Sequence, residues 1–166
     1  MDSLHAPWRI QYILGPKSPP DGGSVFTRIA QSNDDEANHV IARGRTCFAM
    51  LNNAPYNGGH LMVLPYREVP DFDDLTDGEL LELMTLMRRC KNALAKTMQP
   101  HGFNVGVNLG RVAGAGIEQH LHIHVVPRWT GDVNFMPLIA NTSVVPEALK
   151  ETAAKLRAAL AEDQQS

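Results

Sequence analysis

Three histidines alternate with aliphatic residues between positions 120 and 126 of this chain, in the order His-Leu-His-Ile-His-Val-Val. Successive side chains of a β-strand point to opposite faces of a sheet, so the pattern predicts a strand with His120, His122 and His124 on one face. A single histidine on such a strand would most simply be a packing residue. Three of the seven histidines in five consecutive positions would leave several polar ring nitrogens to satisfy. The pattern therefore indicates a functional site.

Two kinds of chemistry fit a row of three imidazoles. One is metal binding, but at roughly 3.3 Å per residue the Cα atoms of the first and third histidines lie about 13 Å apart. Zinc–nitrogen bonds are only about 2.1 Å long, so one ion cannot easily take all three rings. The other is a central nucleophile flanked by groups that orient it, hold an oxyanion and serve the leaving group. A neutral imidazole attacks an anionic phosphate without like-charge repulsion, so the sequence favours this second interpretation. A metal hydrolase that uses His120 and His122 is the less favoured alternative.

A small-residue loop lies directly before the three histidines, at Gly110 to Gly116. Backbone amides in such a loop can approach phosphate oxygens because no bulky side chains intervene. Glycine-rich connections are common, and a loop of this kind would be weak evidence alone. Its position next to the histidines makes it a candidate phosphate cradle.

Together with segments farther upstream, these motifs resemble the signature of the histidine triad (HIT) family of nucleotide hydrolases and transferases. The matching segments are Phe48–Asn52, Gly59–Pro65, Asn108–Gly116 and His120–Val126, within roughly residues 24 to 135. The Ala6-Pro7-Trp8-Arg9 start and the Pro-Arg-Trp-x-Gly-Asp-x-Asn-Phe run at Pro127 to Phe135 further resemble a bacterial branch that contains diadenosine tetraphosphate phosphorylases.

The resemblance implies a role for each histidine. His122 would attack the α-phosphorus of a nucleotide and form a covalent nucleotidyl-imidazole intermediate. His124 would donate to a nonbridging oxygen. His120, positioned by His60, would assist the leaving group. The implied nucleotide-binding residues are Asn52 for the ribose and Asn108, Gly114, Ala115 and Gly116 for the phosphates. Trp129, which follows the triad strand, is placed either to cover the site as a further nucleotide-binding residue or to pack on the N-terminal arm.

The resemblance also implies a substrate class, the dinucleoside polyphosphates, with adenine as the base. Relatives with phosphorylase activity tend to carry Gly-Gly-Ser where this chain has Gly114-Ala115-Gly116. A hydroxyl is therefore missing, and both water and inorganic phosphate stay open as the group that releases the product. An adenosine phosphoramidase and a nucleotide-binding module without turnover are the alternatives.

Cofactor and partner predictions follow from the same comparison. Many relatives carry Cys-x-x-Cys, half of a structural zinc site, where this chain has Ser24-Val25-Phe26-Thr27, so zinc is not expected. The chemistry itself requires no cofactor, although magnesium can accompany a polyphosphate substrate. The resemblance implies a homodimer that joins two sheets.

Net charge, hydropathy and cysteine content limit the partners and the cellular location that the sequence predicts. A net charge of −3 gives no basic surface for sequence-independent nucleic-acid binding. The sequence holds no apolar run of about eighteen residues, so no membrane span is expected. Cys47 and Cys90 lie in apolar patterns and are predicted to be small buried side chains rather than a disulfide. A cytoplasmic protein is the resulting expectation.

Hydrophobic periodicity predicts an α+β fold, with a five-stranded, mostly antiparallel sheet, one long helix packed on it and a C-terminal helix. The strands run before and after the long helix instead of alternating with helices, which argues against a doubly wound parallel sheet. Strands are predicted at 39–42, 46–51, 60–65, 103–109 and 120–126, and helices at 24–31, 76–98 and 148–161. Residues 1–23 are expected to form an N-terminal arm, 24–135 the HIT domain, and 136–166 an extension whose helix packs on the same domain.

Overall fold

The computed structural model describes residues 23–132 and 148–163. The predicted arm, apart from Gly23, and the end of the run at Pro127 to Phe135 lie outside these residues. The elements, in chain order, are α1 Val25–Gln31, β1 Val40–Arg43, β2 Cys47–Leu51, β3 Leu61–Pro65, α2 Asp77–Met98, β4 Gly102–Val107, β5 Ile123–Arg128 and α3 Leu149–Asp163, with 3-10 turns at Phe72–Asp74 and Arg111–Ala113. The predicted α+β fold is confirmed.

All five strands belong to one antiparallel sheet in the order β1-β2-β3-β5-β4. The predicted hairpin between β1 and β2 is present, and the amide of Gly44 in its turn donates to Cys47 O at 2.8 Å. β5 lies in the middle of the sheet between β3 and β4, so the last histidine of the row faces a neighbour on each side. Met62 of β3 and Gly106 of β4 are the residues paired with His124.

The long helix α2 begins with the predicted capping box, in which Thr76 and Glu79 exchange hydrogen bonds with each other's backbone. Helices α2 and α3 cover one face of the sheet and bury the main core with it. Cys47 and Cys90 are buried there as free thiols, and burial raises the pKa of each to about 12. The apolar spacing along α2 also predicts Met84 in the core, but Met84 lies at the edge of the buried stripe and is 50% exposed.

The other face of the sheet is covered only in part. The short helix α1 packs against β1, β2 and β3 through a second cluster of buried residues, Phe26, Ile29, Val40, Phe48, Met50, Met62 and Leu64. On β4 and β5 the same face carries exposed or half-buried residues, including Asn104, Gly106 and His124. The sheet therefore has one sealed half and one open half on this face.

The row of histidines departs from the predicted strand at its start, because β5 begins only at Ile123. Pro65 has no N–H to donate to a neighbouring strand. Its carbonyl is taken by the ring of His120, and the amide of Leu121 donates to Val69 O instead. The predicted alternation still separates the side chains, since Leu121, Ile123 and Val125 enter the main core while the histidine rings face the side of α1.

Among the described residues, no helix combines the length and the apolar character needed to cross a membrane.

Candidate active site

His122 lies between α1 and the beginning of β5 and is 6% exposed. Its Nδ1 is 2.8 Å from the carbonyl oxygen of His120. A carbonyl only accepts hydrogen bonds, so Nδ1 carries the proton and the neutral ring keeps its lone pair on Nε2. Burial lowers the pKa of His122, against the smaller opposing effect of that hydrogen bond. The ring is thus held neutral with a nucleophilic nitrogen.

A chain of hydrogen bonds also fixes the tautomer of His124. The amide of Tyr56 donates to His60 Nδ1 at 3.0 Å, so in a neutral His60 the proton sits on Nε2. That Nε2 lies 3.0 Å from His124 Nδ1, which must then accept. A neutral His124 consequently carries its proton on Nε2 and can donate it to an oxygen of a ligand.

His60 is placed by the glycine before it. Gly59 has a φ of +77°, and a Cβ there would lie 2.6 Å from Met98 Sδ, so both the backbone and the packing favour glycine. The ring of His60 is fully buried and stacks on that of Tyr56, with centroids 4.8 Å apart. The triad histidine to which His60 is hydrogen-bonded is His124.

The prediction that His60 positions His120 for the leaving group is wrong. His120 is fully buried, and both of its ring nitrogens are used inside the protein. Nε2 donates to Pro65 O at 2.9 Å, and Nδ1 lies 2.8 Å from Ser24 Oγ. Burial lowers the pKa of His120, so the neutral ring accepts from the Ser24 hydroxyl. His120 positions His122 through its carbonyl and presents no nitrogen to a ligand.

The hydroxyls of Ser24 and Thr27 stand where a Cys-x-x-Cys pair would supply zinc ligands. Both take part in a hydrogen-bonded cluster, since Thr27 Oγ1 and the amide of Ser24 donate to the carboxylate of Glu68. Neutral hydroxyls are not among the nitrogen, sulfur and carboxylate ligands that zinc takes in proteins. Among the described residues, no group of three or more His, Cys, Asp or Glu side chains could hold a metal ion. These residues do not fit a zinc ion.

A small cleft of about 30 Å³ opens over His122. The residues that line it are Phe26, Asn52, Ala54, Met62, Gly114, Gly116, Ile117, His122 and His124. Five of the predicted site residues therefore meet here, from the β2–β3 loop, the small-residue loop and the triad. Gly114 has a φ of +94°, which favours glycine at that position of the small-residue loop.

The other predicted residues lie around this cleft. Ala115 is buried next to it, and Asn108 donates from Nδ2 to Gly114 O at 3.5 Å, which ties β4's end to the loop. Trp129 is half-buried and follows β5 directly. It is not among the residues that line the cleft or the second cavity described below.

Four cleft residues were missed in the sequence, namely Phe26, Ala54, Met62 and Ile117. The ring of Phe26 packs on those of His120 and His122, with centroids 5.5 and 5.3 Å apart. No local signal marks Phe26, because its contact depends on how α1 docks. The position of Met62 could have been inferred from strand alternation, since it shares a face with Leu64 and lies opposite His124.

A second cavity, which we call the trough, lies on the open half of the sheet and encloses about 320 Å³. It is lined by Tyr56, Asn104, Val105, Gly106, Val107, Asn108, His124, Val126 and Arg128. His124 lines both the trough and the cleft. The two cavities therefore meet at His124.

Asp132 links the loop before His60, which carries Tyr56 and Asn57, to the end of β5 through hydrogen bonds. Its carboxylate accepts from two nitrogens of Arg128 at 2.6 and 2.8 Å, and from Asn57 Nδ2 at 2.9 Å. The ion pair with Arg128 lowers the pKa of Asp132 to about 2. This contact gives a structural reason for the Pro-Arg-Trp-x-Gly-Asp motif.

The sequence of this chain is similar to those of known proteins. The chain is 44% identical over 158 residues to an AP-4-A phosphorylase of Mycobacterium tuberculosis, a match that covers 92% of this chain and 80% of that protein. It is 33% identical to a bis(5'-nucleosyl)-tetraphosphatase (asymmetrical) of Schizosaccharomyces pombe, over 60% of this chain and 54% of that protein.

Among solved structures, a zinc-bound histidine triad family protein from Mycobacterium smegmatis superposes with a TM-score of 0.68 at 25% identity, over 85% of this chain and 95% of that one. The model of the HIT domain matches residues 33–131, more than half of the chain and all three histidines. The chain belongs to the histidine triad family.

Proposed function

We propose that this protein cleaves dinucleoside polyphosphates such as diadenosine tetraphosphate through a covalent nucleotidyl intermediate on His122. The observation that carries the proposal is the neutral, buried His122, whose Nδ1 is committed to His120 O at 2.8 Å. Its support from relatives is the 44% identity to an AP-4-A phosphorylase. The reaction class is therefore nucleotidyl transfer at a phosphoanhydride bond.

In the first step, His122 Nε2 attacks the α-phosphorus and forms a P–N bond while the bond to the bridging oxygen breaks. A nucleotidyl-imidazole and, from diadenosine tetraphosphate, ATP result. The N–H at His124 Nε2 donates to a nonbridging oxygen, where negative charge is held in the transition state. Because a polyphosphate departs as a stabilised anion, no acid from His120 is needed.

In the second step, an acceptor displaces His122 from phosphorus and restores the lone pair on Nε2. Water gives AMP, whereas inorganic phosphate gives ADP. Gly116 lines the cleft and has no side-chain hydroxyl that could hold a second phosphate. Asn52 is the ribose contact in this scheme, and the loop from Gly114 to Gly116 holds the phosphates through its amides.

Several further properties belong to the same proposal. The base is adenine, the protein works in the cytoplasm, and magnesium accompanies the substrate's phosphates without being a resident cofactor. The protein is a homodimer, in which β4 of one copy pairs with that of the other. Supporting this, β4 is a sheet edge and carries Val105, which is 48% exposed, and such edges are templates for pairing.

Product analysis tests the proposal. Diadenosine tetraphosphate is incubated with the protein, with and without inorganic phosphate, and the nucleotides are separated by chromatography. AMP plus ATP in both conditions identifies a hydrolase, and ADP that forms only with phosphate identifies a phosphorylase. Absence of product in both conditions would contradict the substrate class and direct the assay to adenosine phosphoramidates.

A further inference from the structure

The side chain of Glu68, which follows β3 closely, joins separate segments of the chain. Its carboxylate oxygen Oε2 accepts from the amide of Ser24 at 2.7 Å and from the hydroxyl of Thr27. The same oxygen lies against Gly23, where a Cβ would be only 2.7 Å away and where a φ of +66° favours glycine. The half-buried carboxylate therefore fills a space that the chain leaves for it at the start of α1.

This hydrogen-bonded group reaches the first histidine of the row. Ser24 Oγ donates to His120 Nδ1 at 2.8 Å, and His120 Nε2 donates to Pro65 O at 2.9 Å. The amide of Leu121 donates to Val69 O at 2.7 Å. The segment between β3 and α2 thus accepts hydrogen bonds both from the start of α1 and from the residues just before β5. We call four of these residues the clamp, namely Ser24, Thr27, Glu68 and His120.

Glu68 carries a negative charge at neutral pH. Burial raises the pKa of its carboxyl, but the hydrogen bonds from Thr27 and Ser24 outweigh burial and lower the pKa overall. Hydrogen bonds to an ionised acceptor are stronger than those between neutral groups. The carboxylate is therefore the strongest acceptor in the clamp, and loss of the Ser24 hydroxyl alone would leave both of its contacts in place.

Helix α1 depends on such contacts for its position. It has only seven residues, and helices that short are at best marginally stable on their own in water. Its buried side chains are Phe26 and Ile29. The clamp supplies the polar part of its attachment, at the end of the helix that carries Phe26.

Two routes lead from the clamp to His122. Through α1, the clamp places Phe26, whose ring centroid lies 5.3 Å from that of His122 and which lines the cleft. Through His120, it places the carbonyl oxygen that accepts from His122 Nδ1 at 2.8 Å. Both the orientation of the His122 ring and its tautomer thus depend on where Glu68 holds its neighbours.

We propose that Glu68 is a positioning residue for the reaction, which holds α1 and His120, and through them the ring of His122, by hydrogen bonds and without a metal ion. This inference rests on the proposed attack by His122. It explains how the hydroxyls of Ser24 and Thr27, which do not suit zinc, can stand where a Cys-x-x-Cys pair would lie. Glu68 does not line the cleft and acts only through its neighbours.

Glu82 on α2 offers a matched control. Its carboxylate also accepts from backbone amides, those of Arg45 and Thr46 at 2.7 and 2.8 Å, and from the hydroxyl of Thr46. A Cβ on Gly44 would likewise lie only 2.5 Å from its Oε1. Neither Arg45 nor Thr46 lines the cleft. Glu82→Ala therefore removes a similar set of hydrogen bonds at a place that holds no histidine of the triad.

The test compares Glu68→Ala with Glu82→Ala. For each variant we would measure the midpoint of urea unfolding, kcat and KM for diadenosine tetraphosphate, and the tautomer of His122 by nitrogen-15 NMR. Both substitutions should lower the midpoint. Only Glu68→Ala should lower kcat, by about tenfold with KM within about twofold, because a displaced nucleophile slows the chemical step more than it weakens binding. In the same variant His122 should show a mixture of tautomers.

Two milder variants keep the test informative if Glu68→Ala folds poorly. Glu68→Gln keeps an oxygen that can accept from both Ser24 and Thr27, and its kcat should stay within about threefold of the wild-type value. Thr27→Val preserves the shape of the side chain and removes one donor, so kcat should fall by about threefold. Dialysis of the wild-type protein against a chelator, followed by assay with magnesium supplied, should change neither kcat nor the urea midpoint.

Three outcomes would overturn the role of Glu68. A folded Glu68→Ala variant with wild-type kcat and an unchanged His122 tautomer would mean that the clamp does not reach the nucleophile. An equal loss of kcat in Glu82→Ala would mean that the loss follows from stability alone. A wild-type midpoint that falls on dialysis against chelator and recovers with zinc would mean that a metal ion holds α1. Failure of the proposed function differs from all three, because the wild-type protein would then form no product while the His122 tautomer still responded to Glu68→Ala.

Discussion

The two histidines that flank His122 have the same side chain and opposite surroundings. His120 is fully buried, with one ring nitrogen on Pro65 O and the other on Ser24 Oγ. His124 is half-buried and lies where the cleft and the trough meet. The difference arises because α1 covers the sheet beside His120 and ends before β4. The first flank is therefore enclosed in the structure, while the second is open to both cavities.

The largest expected effect is at the residue between the flanks. His122→Ala should lower turnover by about 10⁴-fold or more, because no other group can form the intermediate, while nucleotide binding persists. Single-turnover kinetics and equilibrium binding of AMP would measure the two properties. His101→Ala, at an exposed histidine outside both cavities, is the control. Retention of more than a small fraction of activity would refute His122 as the nucleophile.

The next effect concerns the His124 flank. His60→Phe keeps a ring to stack on Tyr56 but removes the donor to His124 Nδ1, so the proton of His124 is no longer directed to Nε2. We expect kcat to fall by about 10²-fold, within the range for loss of one transition-state donor. Nitrogen-15 NMR of the histidine rings would report the tautomer of His124. An unaltered tautomer together with a lower kcat would assign the loss to packing instead.

A smaller effect on rate, but a clear one on stability, is expected at the His120 flank. Ser24→Ala leaves His120 Nδ1 buried without its donor, which should cost about 1–3 kcal/mol in the free energy of unfolding. Turnover of the folded variant should change by less than about threefold, and Ser24→Thr should restore stability. Urea unfolding and steady-state kinetics on the same samples would check both. If Ser24→Ala kept normal stability but lost much of its kcat, His120 would act in the reaction as is proposed for His124, and the contrast between the two histidines would fail.

The smallest effect is the dependence of stability on pH. Burial lowers the pKa of His120 and of His122 below their ordinary value of 6.5, so the folded protein binds fewer protons than the unfolded chain just below that pH. The free energy of unfolding should therefore be constant above about pH 6.5 and decrease as the pH falls toward the lowered values. Urea unfolding at several pH values would measure the slope. His120→Gln should flatten it, and an unchanged slope would contradict this origin.

The sequence predicted the sheet, the long helix with its capping box and the separation of aliphatic from histidine side chains, since these follow from local periodicity. It did not predict that β5 begins at Ile123. The reason is that the carbonyl oxygen of Pro65 accepts a hydrogen bond from the ring of His120, which is far away in the sequence, instead of from a strand amide. The partner of His60 was wrong for a similar reason. A position on a strand specifies a face, whereas the identity of a hydrogen-bond partner depends on how neighbouring strands are aligned.

The trough was also absent from the sequence interpretation. Gly106 stands in a run of alternating residues, and only the fold shows that it pairs with His124 and lines the trough. Met84 shows a limit of periodicity itself. Its helical spacing fits a core position, yet it lies at the edge of the buried stripe of α2.

Tyr56 contributes to this region both through its main-chain amide and through its side chain. The donor that sets the tautomer of His60 is a main-chain amide, which every residue except proline supplies. The wall of the trough is a side chain, which a single substitution can enlarge, shrink or make polar. A substitution at this position can therefore reshape the trough while the main-chain hydrogen bond to His60 is kept.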